Sequence, residues 1–270
     1  MEGDRDHLRK LFSEERLAKI FGEVFDQYTI DSVHHLAENG YFYQLESLVN
    51  TGKEAHVYRA VDQAGNFRAV KIYKVETTDF KNMRRYLDGD PRFGRAKPNA
   101  RAVLVEWVKK EFRNLQAFRE AGITVPLALA FRQNVLVMEF IGTNGEPSMS
   151  LKETPLNDAP KLHEWTVEVL AKMIYRARVV HADLSEYNIL NREGELVVID
   201  CGQGVALTHP LAREFFDRDL KNMANYLQKH GTDMDVERLR LEVQNQKKTF
   251  EKKATKRSNT HIKRTRDGKA

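Results

Sequence analysis

The spacing of apolar residues changes several times along the chain, and each change predicts a different kind of element. Between residues 13 and 25 apolar side chains recur every three or four positions, which predicts a helix. A second, shorter helix is predicted over 29–39, ending at Gly40. From residue 42 the period falls to two, which predicts three strands, over 42–50, 55–62 and 67–75.

The rest of the pattern is mainly helical. Residues 76–101 are polar, carry two glycines and two prolines, and are predicted to form a mobile loop. Beyond this loop the sequence predicts four helices, over 102–121, 161–178, 211–229 and 236–248. It also predicts a hairpin of strands at 128–131 and 135–140, a turn-rich connector over 142–160, and short strands at 189–191 and 196–199.

These elements divide the chain into four segments. We expect an N-terminal helical extension over 1–41, a strand-rich lobe over 42–141, a mainly helical lobe over 142–246 and a basic tail over 247–270. A chain of 270 residues is long enough to build a sizeable core without a disulfide or a structural metal.

The charge of the protein is unevenly distributed. The chain carries 44 Lys and Arg against 39 Asp and Glu, a net charge of +5. The tail holds ten of the basic residues and two acidic ones, Glu251 and Asp267, so its net charge is +8 and the first 246 residues carry −3. Such a segment cannot bury enough apolar surface to fold alone. It is either a solubilising tail or a contact for nucleic-acid phosphates.

Cysteine content and hydropathy indicate a location. Cys201 is the single cysteine, so the chain forms no internal disulfide, which fits a reducing compartment. No apolar run approaches the ~20 residues of a membrane span, and the first ten residues are charged rather than apolar. These features predict a cytoplasmic protein without a membrane contact.

The string from Val179 to Leu190 carries the strongest chemical signal. It contains His181, then Asp183, then Asn188 five residues after the aspartate, which is the spacing of a kinase catalytic loop. That spacing suits phosphoryl transfer, because Asp183 can address the attacking hydroxyl while Asn188 offers a neutral oxygen to a metal. The alternative interpretation is an aspartate and an asparagine that only satisfy a turn.

A second acidic position follows 17 residues after Asp183. Asp200 ends an apolar strand and precedes Cys201 and Gly202, where kinases carry Asp-Phe-Gly. In that position the carboxylate would bind the magnesium ion that bridges the nucleotide phosphates. Its alternative role is to cap a turn.

Lys71 lies in a strand, 68–72, that matches the Val-Ala-Ile-Lys strand of kinases. Strand alternation places it on the same face as Ala69 and Tyr73, where a charged group needs a partner. We expect nucleotide phosphates and the carboxylate of Glu111, in the helix predicted over 102–121, to supply it. The alternatives are an edge lysine that reaches solvent and a solvated helix glutamate.

The chain has no Gly-x-Gly-x-x-Gly string and no Gly-x-x-x-x-Gly-Lys-Ser/Thr string. Thr51, Gly52, Lys53 and Glu54 instead join two predicted strands ahead of Lys71, where a phosphate-covering loop belongs. By itself this string is equally typical of a hairpin turn.

Taken together, residues 50–55, 181–188 and 199–203 resemble the RIO atypical protein kinases. The Thr-Gly-Lys-Glu-Ala form of the first string is similar to the first branch of that family, and residues 80–93 resemble its flexible loop. The compact length is typical of an archaeal member.

The resemblance implies an α+β, two-lobed, protein-kinase-like fold. Its N-lobe would hold a small antiparallel sheet and one helix, and its C-lobe would be mainly helical, without an activation loop or the late C-lobe helices. The N-terminal helices would form an extension to this fold.

The resemblance also implies the ligands, ATP and Mg²⁺ with Mn²⁺ as a substitute, and a role for each site residue. Thr51, Gly52, Lys53 and Glu54 would cover the phosphates, Glu111 would hold Lys71, and Asn188 and Asp200 would hold the metal. Met138 would be the gatekeeper, and the backbones of Glu139 and Ile141 would bind adenine.

The function implied is a serine/threonine kinase or ATPase in maturation of the small ribosomal subunit, whose precursor and ribosomal RNA would contact the tail. By the same resemblance Asp200 would accept the phosphate before water does. Two other functions remain open, a non-catalytic RNA-binding scaffold and a small-molecule phosphotransferase. The complete set of Lys71, Asp183, Asn188 and Asp200 argues against the first, and residues 51–55 argue against the second. The protein substrate is not predicted.

Overall fold

An antiparallel sheet of five strands forms the first lobe of the protein. The computed structural model describes residues 11–12, 21, 25–75, 79–93, 99–248 and 250. The sheet has the order β1-β2-β3-β5-β4. Its strands are β1 (Gln44–Thr51), β2 (Ala55–Val61), β3 (Phe67–Tyr73), β4 (Ala128–Arg132) and β5 (Val135–Glu139). All five strands predicted for this part of the chain are confirmed.

The central strand β3 separates two apolar clusters because its side chains alternate between the faces of the sheet. Val70 and Ile72 pack in the cluster of helix α1 (Gln27–Glu38). Tyr73 faces the other way, into the large cluster that includes helix α3 (Ala100–Glu120) and the second lobe. Lys71 therefore points towards α3, as the alternation predicts.

Four helices begin at an aspartate or asparagine whose side-chain oxygen accepts a backbone N–H of the first turn, at 2.8–3.0 Å. They are α1, α2 (Phe80–Leu87), α3 and α4 (Ala159–Lys172). Helix α2 lies inside the segment predicted to be a mobile loop, and that prediction is wrong over 80–87. Met83, Tyr86 and Leu87 are buried there, so an apolar stripe was concealed in a polar sequence.

The second lobe is mainly helical, with one departure from the predicted pattern. The helix predicted over 161–178 is α4 up to Lys172, followed by a wider π-helical turn over Met173–Ala177. Arg178 then adopts a left-handed conformation, with φ of 59°, and the chain turns into a strand. The remaining helices, α5 (Ala212–Lys229) and the helix over 236–248, agree with the prediction.

Seven short strands connect these helices: β6 (Gly142–Thr143), β7 (Glu146–Pro147), β8 (Met149–Ser150), β9 (Val179–Val180), β10 (Ile189–Arg192), β11 (Glu195–Val198) and β12 (Val205–Ala206). The predicted connector over 142–160 thus contains three strands. Strand β9 pairs with β12, and β10 pairs with β11 and β8. The pairs β9–β12 and β10–β11 are nested, which determines where the site forms.

The ends of the chain are described only in part. Of the helix predicted over 13–25, Phe21 and Phe25 are described and both are buried. Residues 251–270 of the predicted tail lie outside the described residues. Residues 205–211 alone separate the turn after Asp200 from α5, as expected for a fold without an activation loop. No helix within the described ranges is long and apolar enough to cross a membrane.

Candidate active site

Two loops that carry the candidate chemistry lie side by side because the strands around them are nested. The first, residues 181–188, runs from β9 to β10, and the second, residues 199–204, runs from β11 to β12. Pairing of β9 with β12 closes one end of this unit, and pairing of β10 with β11 closes the other. The amide of Ile199 donates to the carbonyl of Asn188 at 3.0 Å, which links the loops directly.

Lys71 is the centre of a charged cluster that spans both lobes. Its Nζ donates to Glu111 Oε1 at 2.8 Å and to Asp200 Oδ1 at 2.9 Å. The hydroxyl of Tyr73 donates to the other oxygen of Glu111. Lys71 and Glu111 are 8% and 1% exposed. The predicted contact between Lys71 and Glu111 is therefore present, and Asp200 joins it.

The charges of this cluster act strongly on one another. Burial by itself lowers the pKa of Lys71, but the carboxylates of Asp200 and Glu111 outweigh it and hold that pKa well above its ordinary value. The positive charge of Lys71 lowers the pKa of Asp200. Burial raises the pKa of Tyr73 well above its usual range, so its hydroxyl stays protonated as a donor to Glu111. The cluster is thus a cation held between two carboxylates.

Asp183 lies beside this cluster with its own amide partners. Asn188 Nδ2 donates to the backbone oxygen of Asp183 at 2.8 Å and to its Oδ2 at 3.1 Å, and Gln203 Nε2 donates to Oδ2 at 3.3 Å. Burial raises the pKa of Asp183, and the charge of Asp200 adds to the rise. The carboxylate is therefore a better proton acceptor than an ordinary aspartate.

Asp200 combines an unusual backbone conformation with an open side chain. Its φ of 57° and ψ of 55° are left-handed, which costs a non-glycine residue about 1–2 kcal/mol. The side chain is nevertheless 54% exposed while Lys71 holds one of its oxygens. Strain of this kind persists only where the surroundings determine the conformation.

The structure also reveals a clamp on the catalytic loop that sequence reasoning missed. Asp219, fully buried in α5, accepts the amides of Ala182 at 2.8 Å and Leu184 at 2.9 Å. Arg218 donates to the carbonyl of Ala182, whose φ is 67°. Burial raises the pKa of Asp219 to about 7. The clamp fixes the backbone on both sides of Asp183.

The predicted nucleotide loop is a tight turn between β1 and β2. The amide of Gly52 donates to the carbonyl of Ala55 at 2.9 Å. The hydroxyl of Thr51 lies 2.7 Å from His56 Nδ1, so this side chain is directed to a neighbouring residue. Burial raises the pKa of Glu54, and the charge of Asp200 adds to the rise.

The predicted hinge comprises the end of β5, with Met138 and Glu139, and the residues directly after it. The amide of Glu139 donates to the carbonyl of Leu127 at 2.9 Å, and the carbonyl of Ile141 accepts the amide of Ser148 at 3.0 Å. Adenine recognition would fall to the other backbone group of each residue. Gly142 follows, where a Cβ would lie 2.1 Å from the carbonyl oxygen of Glu146, so only glycine fits this close turn.

Comparisons with known proteins show the family of the chain. The family model described as the RIO domain matches residues 56–239. A Haloferax volcanii protein named RIO-type serine/threonine-protein kinase Rio1 is 39% identical over 236 residues, covering 87% of this chain and 81% of the relative. The chain belongs to the RIO family of serine/threonine protein kinases. A Methanocaldococcus jannaschii relative of the same name is also 39% identical, over 241 residues, covering 87% of this chain and 82% of the relative.

Solved structures support the same fold. The crystal structure of the Rio2 kinase-ADP/Mg²⁺-phosphoaspartate complex from Chaetomium thermophilum has a TM-score of 0.58 and 18% identity, covering 90% of this chain and 77% of that one. A second Rio2 kinase structure from the same organism has a TM-score of 0.57 and 21% identity, covering 82% of this chain and 67% of that one. The predicted α+β, kinase-like fold is therefore confirmed.

One signal in the RIO chain could have revealed the missed clamp. Asp219 lies four residues after Phe215 and four before Met223, and all three are fully buried. An aspartate on the apolar stripe of a helix needs an internal partner. The pattern would have predicted a buried acceptor without saying what it binds.

Proposed function

We propose that the protein is an ATP- and magnesium-dependent kinase that transfers the γ-phosphoryl group of ATP to a serine or threonine hydroxyl. The observation that carries the proposal is the cluster in which Lys71 joins Glu111 and Asp200, 2.8 and 2.9 Å away, beside the Asp183–Asn188 pair. In this arrangement Lys71 would bind and orient the phosphates, and Asp183 would hold or accept the proton of the attacking hydroxyl.

The donor set fits magnesium. The amide nitrogen of Asn188 is directed to Asp183, so the oxygen is the end left to bind a cation, and Asp200 presents a half-exposed carboxylate. Magnesium prefers such oxygen ligands in small number, completed by phosphates and water. The proposed site has only two protein ligands, and within the described residues no group of three or more His, Cys, Asp or Glu side chains could hold a metal ion by itself. When bound, the ion would neutralise charge that develops on the transferring group.

The proposal includes a second acceptor, the carboxylate of Asp200 itself. One of its oxygens would form a bond to the γ-phosphorus while the bond to the β–γ bridging oxygen breaks and ADP leaves. Water would then attack the acyl phosphate and release phosphate, with its proton passing to Asp183, and restore the carboxylate. The phosphoaspartate named for the Chaetomium thermophilum Rio2 kinase supports this step.

Labelled ATP tests both acceptors. We expect the wild-type chain to hydrolyse ATP, and Asp183→Ala to lose transfer but still bind ADP. Asp31→Ala, on the exposed face of α1, is the control and should match wild type. Label lost in hydroxylamine would support the acyl phosphate, whereas label that resists hydroxylamine but is lost in alkali would indicate phosphoserine. Wild-type turnover by Asp183→Ala would contradict the assignment of Asp183.

We further propose a cytoplasmic role in maturation of the small ribosomal subunit, with ribosomal RNA as a partner of the basic tail. The supporting observations are the family, the single cysteine and the net charge of +8 after residue 246. The names of the relatives favour a protein kinase over a small-molecule phosphotransferase. The complete polar cluster favours an enzyme over a scaffold. Retention of the protein on isolated small ribosomal subunits tests the role.

A further inference from the structure

Lys110, next to Glu111 on α3, is a fully buried lysine whose partners are backbone carbonyls. Its Nζ donates to the carbonyl of Gly202 at 3.0 Å and to that of Gly204. Burial lowers the pKa of Lys110 well below its ordinary value. An apolar side chain would fill this position with less desolvation, so stability alone does not account for the lysine.

Two further side chains bind the same short loop from the same side. Asn114, one turn further along α3, donates Nδ2 to the carbonyls of Cys201 at 2.7 Å and Gly204 at 2.8 Å. Trp107 packs so closely on Gly202 that a Cβ there would lie 2.9 Å from its ring nitrogen. Cys201, Gly202 and Gly204 are thus each held by side chains of α3.

Arg92 adds a third donor from the segment that follows α2. Its guanidinium donates to the carbonyl of Gly204 at 3.2 Å and to Asn114 Oδ1 at 2.8 Å. Asp90, 1% exposed, holds it through contacts of 3.0 and 2.7 Å and also accepts the amide of Ala206 at 3.2 Å. The carbonyl of Gly204 therefore receives donors from three residues on two segments.

These contacts hold the residues directly after Asp200, so they bear on the conformation of Asp200. Asp200 has a left-handed backbone and its carboxylate contacts Lys71, and such a conformation needs support from its surroundings. The carbonyls held by Lys110, Asn114 and Arg92 follow Asp200 by one to four residues. Ile199, on the other side of Asp200, is held through its own amide and carbonyl, so these carbonyls are the groups that fasten the loop after Asp200.

We propose that Lys110 and Arg92 are positioning residues for the magnesium site, holding the Cys201–Gly204 carbonyls so that Asp200 presents its carboxylate to the metal. This rests on the proposed role of Asp200 as a ligand. Outer groups that orient a metal ligand typically contribute 10–100-fold to metal affinity. Neither side chain hydrogen-bonds to Lys71, Glu111 or Asp200, so their effect should appear only when the metal is present.

The test compares Lys110→Met with Lys109→Met. Lys109 is the adjacent lysine on α3, is partly exposed and pairs with Glu106 at 3.3 Å. ADP binding is measured by calorimetry in EDTA and in Mg²⁺, together with the Mg²⁺ concentration that gives half-maximal ATP hydrolysis. We expect Lys110→Met to bind ADP normally in EDTA and to need about 10-fold more Mg²⁺. Lys109→Met should match wild type in all three measurements.

A second variant tests the proposal even if Lys110→Met does not fold. Arg92→Lys keeps the positive charge beside Asp90 but cannot reach both Asn114 and Gly204, because it lacks the guanidinium fork. We expect it to raise the Mg²⁺ requirement about 3- to 10-fold, with unchanged binding in EDTA.

Three outcomes would overturn the proposal. Wild-type Mg²⁺ dependence in Arg92→Lys, and in Lys110→Met where it folds, would show that Lys110 and Arg92 do not act on the metal site. Equal weakening in EDTA and in Mg²⁺ would indicate a general structural role. Identical ADP binding by the wild-type chain with and without Mg²⁺ would contradict the role of Asp200 as a metal ligand. This result distinguishes failure of the proposed function from failure of the positioning role of Lys110 and Arg92.

Discussion

Replacing Tyr73 by phenylalanine removes one hydroxyl from the buried cluster around Lys71 and retains the ring. The lost group is the donor to Glu111 Oε2, and no other donor reaches that oxygen in the part of the chain that the structure describes. Lys71 Nζ lies 5.0 Å from the centre of the Tyr73 ring, and that contact survives in phenylalanine. The change therefore isolates a single hydrogen bond to a buried carboxylate.

The expected loss follows from the charge and burial of the acceptor. A hydrogen bond to a charged group contributes about 1.5–3 kcal/mol, and Glu111 is 1% exposed, so water cannot replace the donor. We expect the free energy of unfolding to fall by about 2 kcal/mol. In a chain of this size that corresponds to a melting temperature lower by about 4–8 °C.

Urea and thermal unfolding of the wild-type protein and of Tyr73→Phe measure this effect. Tyr226→Phe is the control, because it removes a hydrogen bond to an uncharged acceptor. Tyr226 is 3% exposed, and its hydroxyl donates to the neutral carbonyl of Leu151 at 3.0 Å. Loss of that bond should cost about 1 kcal/mol. If Tyr73→Phe is no more destabilising than Tyr226→Phe, the Glu111 carboxylate does not depend on the Tyr73 hydroxyl, and the reasoning is refuted.

Three further predictions follow from the site and the tail. Lys71→Ala and Glu111→Ala should each raise the KM for ATP, and a double-mutant cycle should give non-additive losses because both remove the 2.8 Å contact; additive losses would contradict the pairing. Burial lowers the pKa of His181 from 6.5 to about 4, so the unfolded chain takes up a proton in that range that the folded chain does not. The free energy of unfolding should then fall as the pH drops from 6.5 to 4, by up to about 1.4 kcal/mol per unit, and His181→Phe should show a flatter acid branch in urea titrations at each pH. Deleting 251–270 removes eight of the ten basic residues of the tail and retains Phe250, which packs on Arg176. RNA affinity and its salt dependence should then decrease in filter-binding assays, while ATP hydrolysis without RNA stays unchanged. An unaltered dependence of RNA affinity on salt would assign the tail to solubility.

Much of the first lobe could be predicted because its signals are local. Alternation along β3 alone determines that Lys71 and Tyr73 share a face, since successive side chains of a strand point to opposite sides. Aspartates at the starts of α1 and α4 mark helix ends because their side-chain oxygens accept N–H groups only three residues away. The strings around Asp183 and Asn188 are equally short.

Helix α2 shows where such signals become misleading. Its sequence is dominated by Lys81, Asn82, Arg84 and Arg85, and the flanking glycines and prolines favour a loop. Its stability comes from the second lobe, where Tyr86 stacks on Phe215 with ring centres 4.9 Å apart. A helix of this length is marginal by itself, so tertiary packing decides whether it forms.

The contacts that hold the two site loops could not be predicted from the sequence for the same reason. Asp219 lies 35 residues from Leu184, and Lys110 lies 92 residues from Gly202. From the sequence, a buried aspartate and a lysine on an apolar helix stripe predict only that each needs a polar partner. Which carbonyl or amide becomes that partner depends on the nested pairing of β9 with β12 and β10 with β11, and on how the loops then meet α3 and α5. The sequence thus determined which side chains carry charge and which face of their element they occupy, because these properties extend over a few residues. The tertiary structure alone decided which of them meet, because contacts between distant segments exist only after the chain has closed.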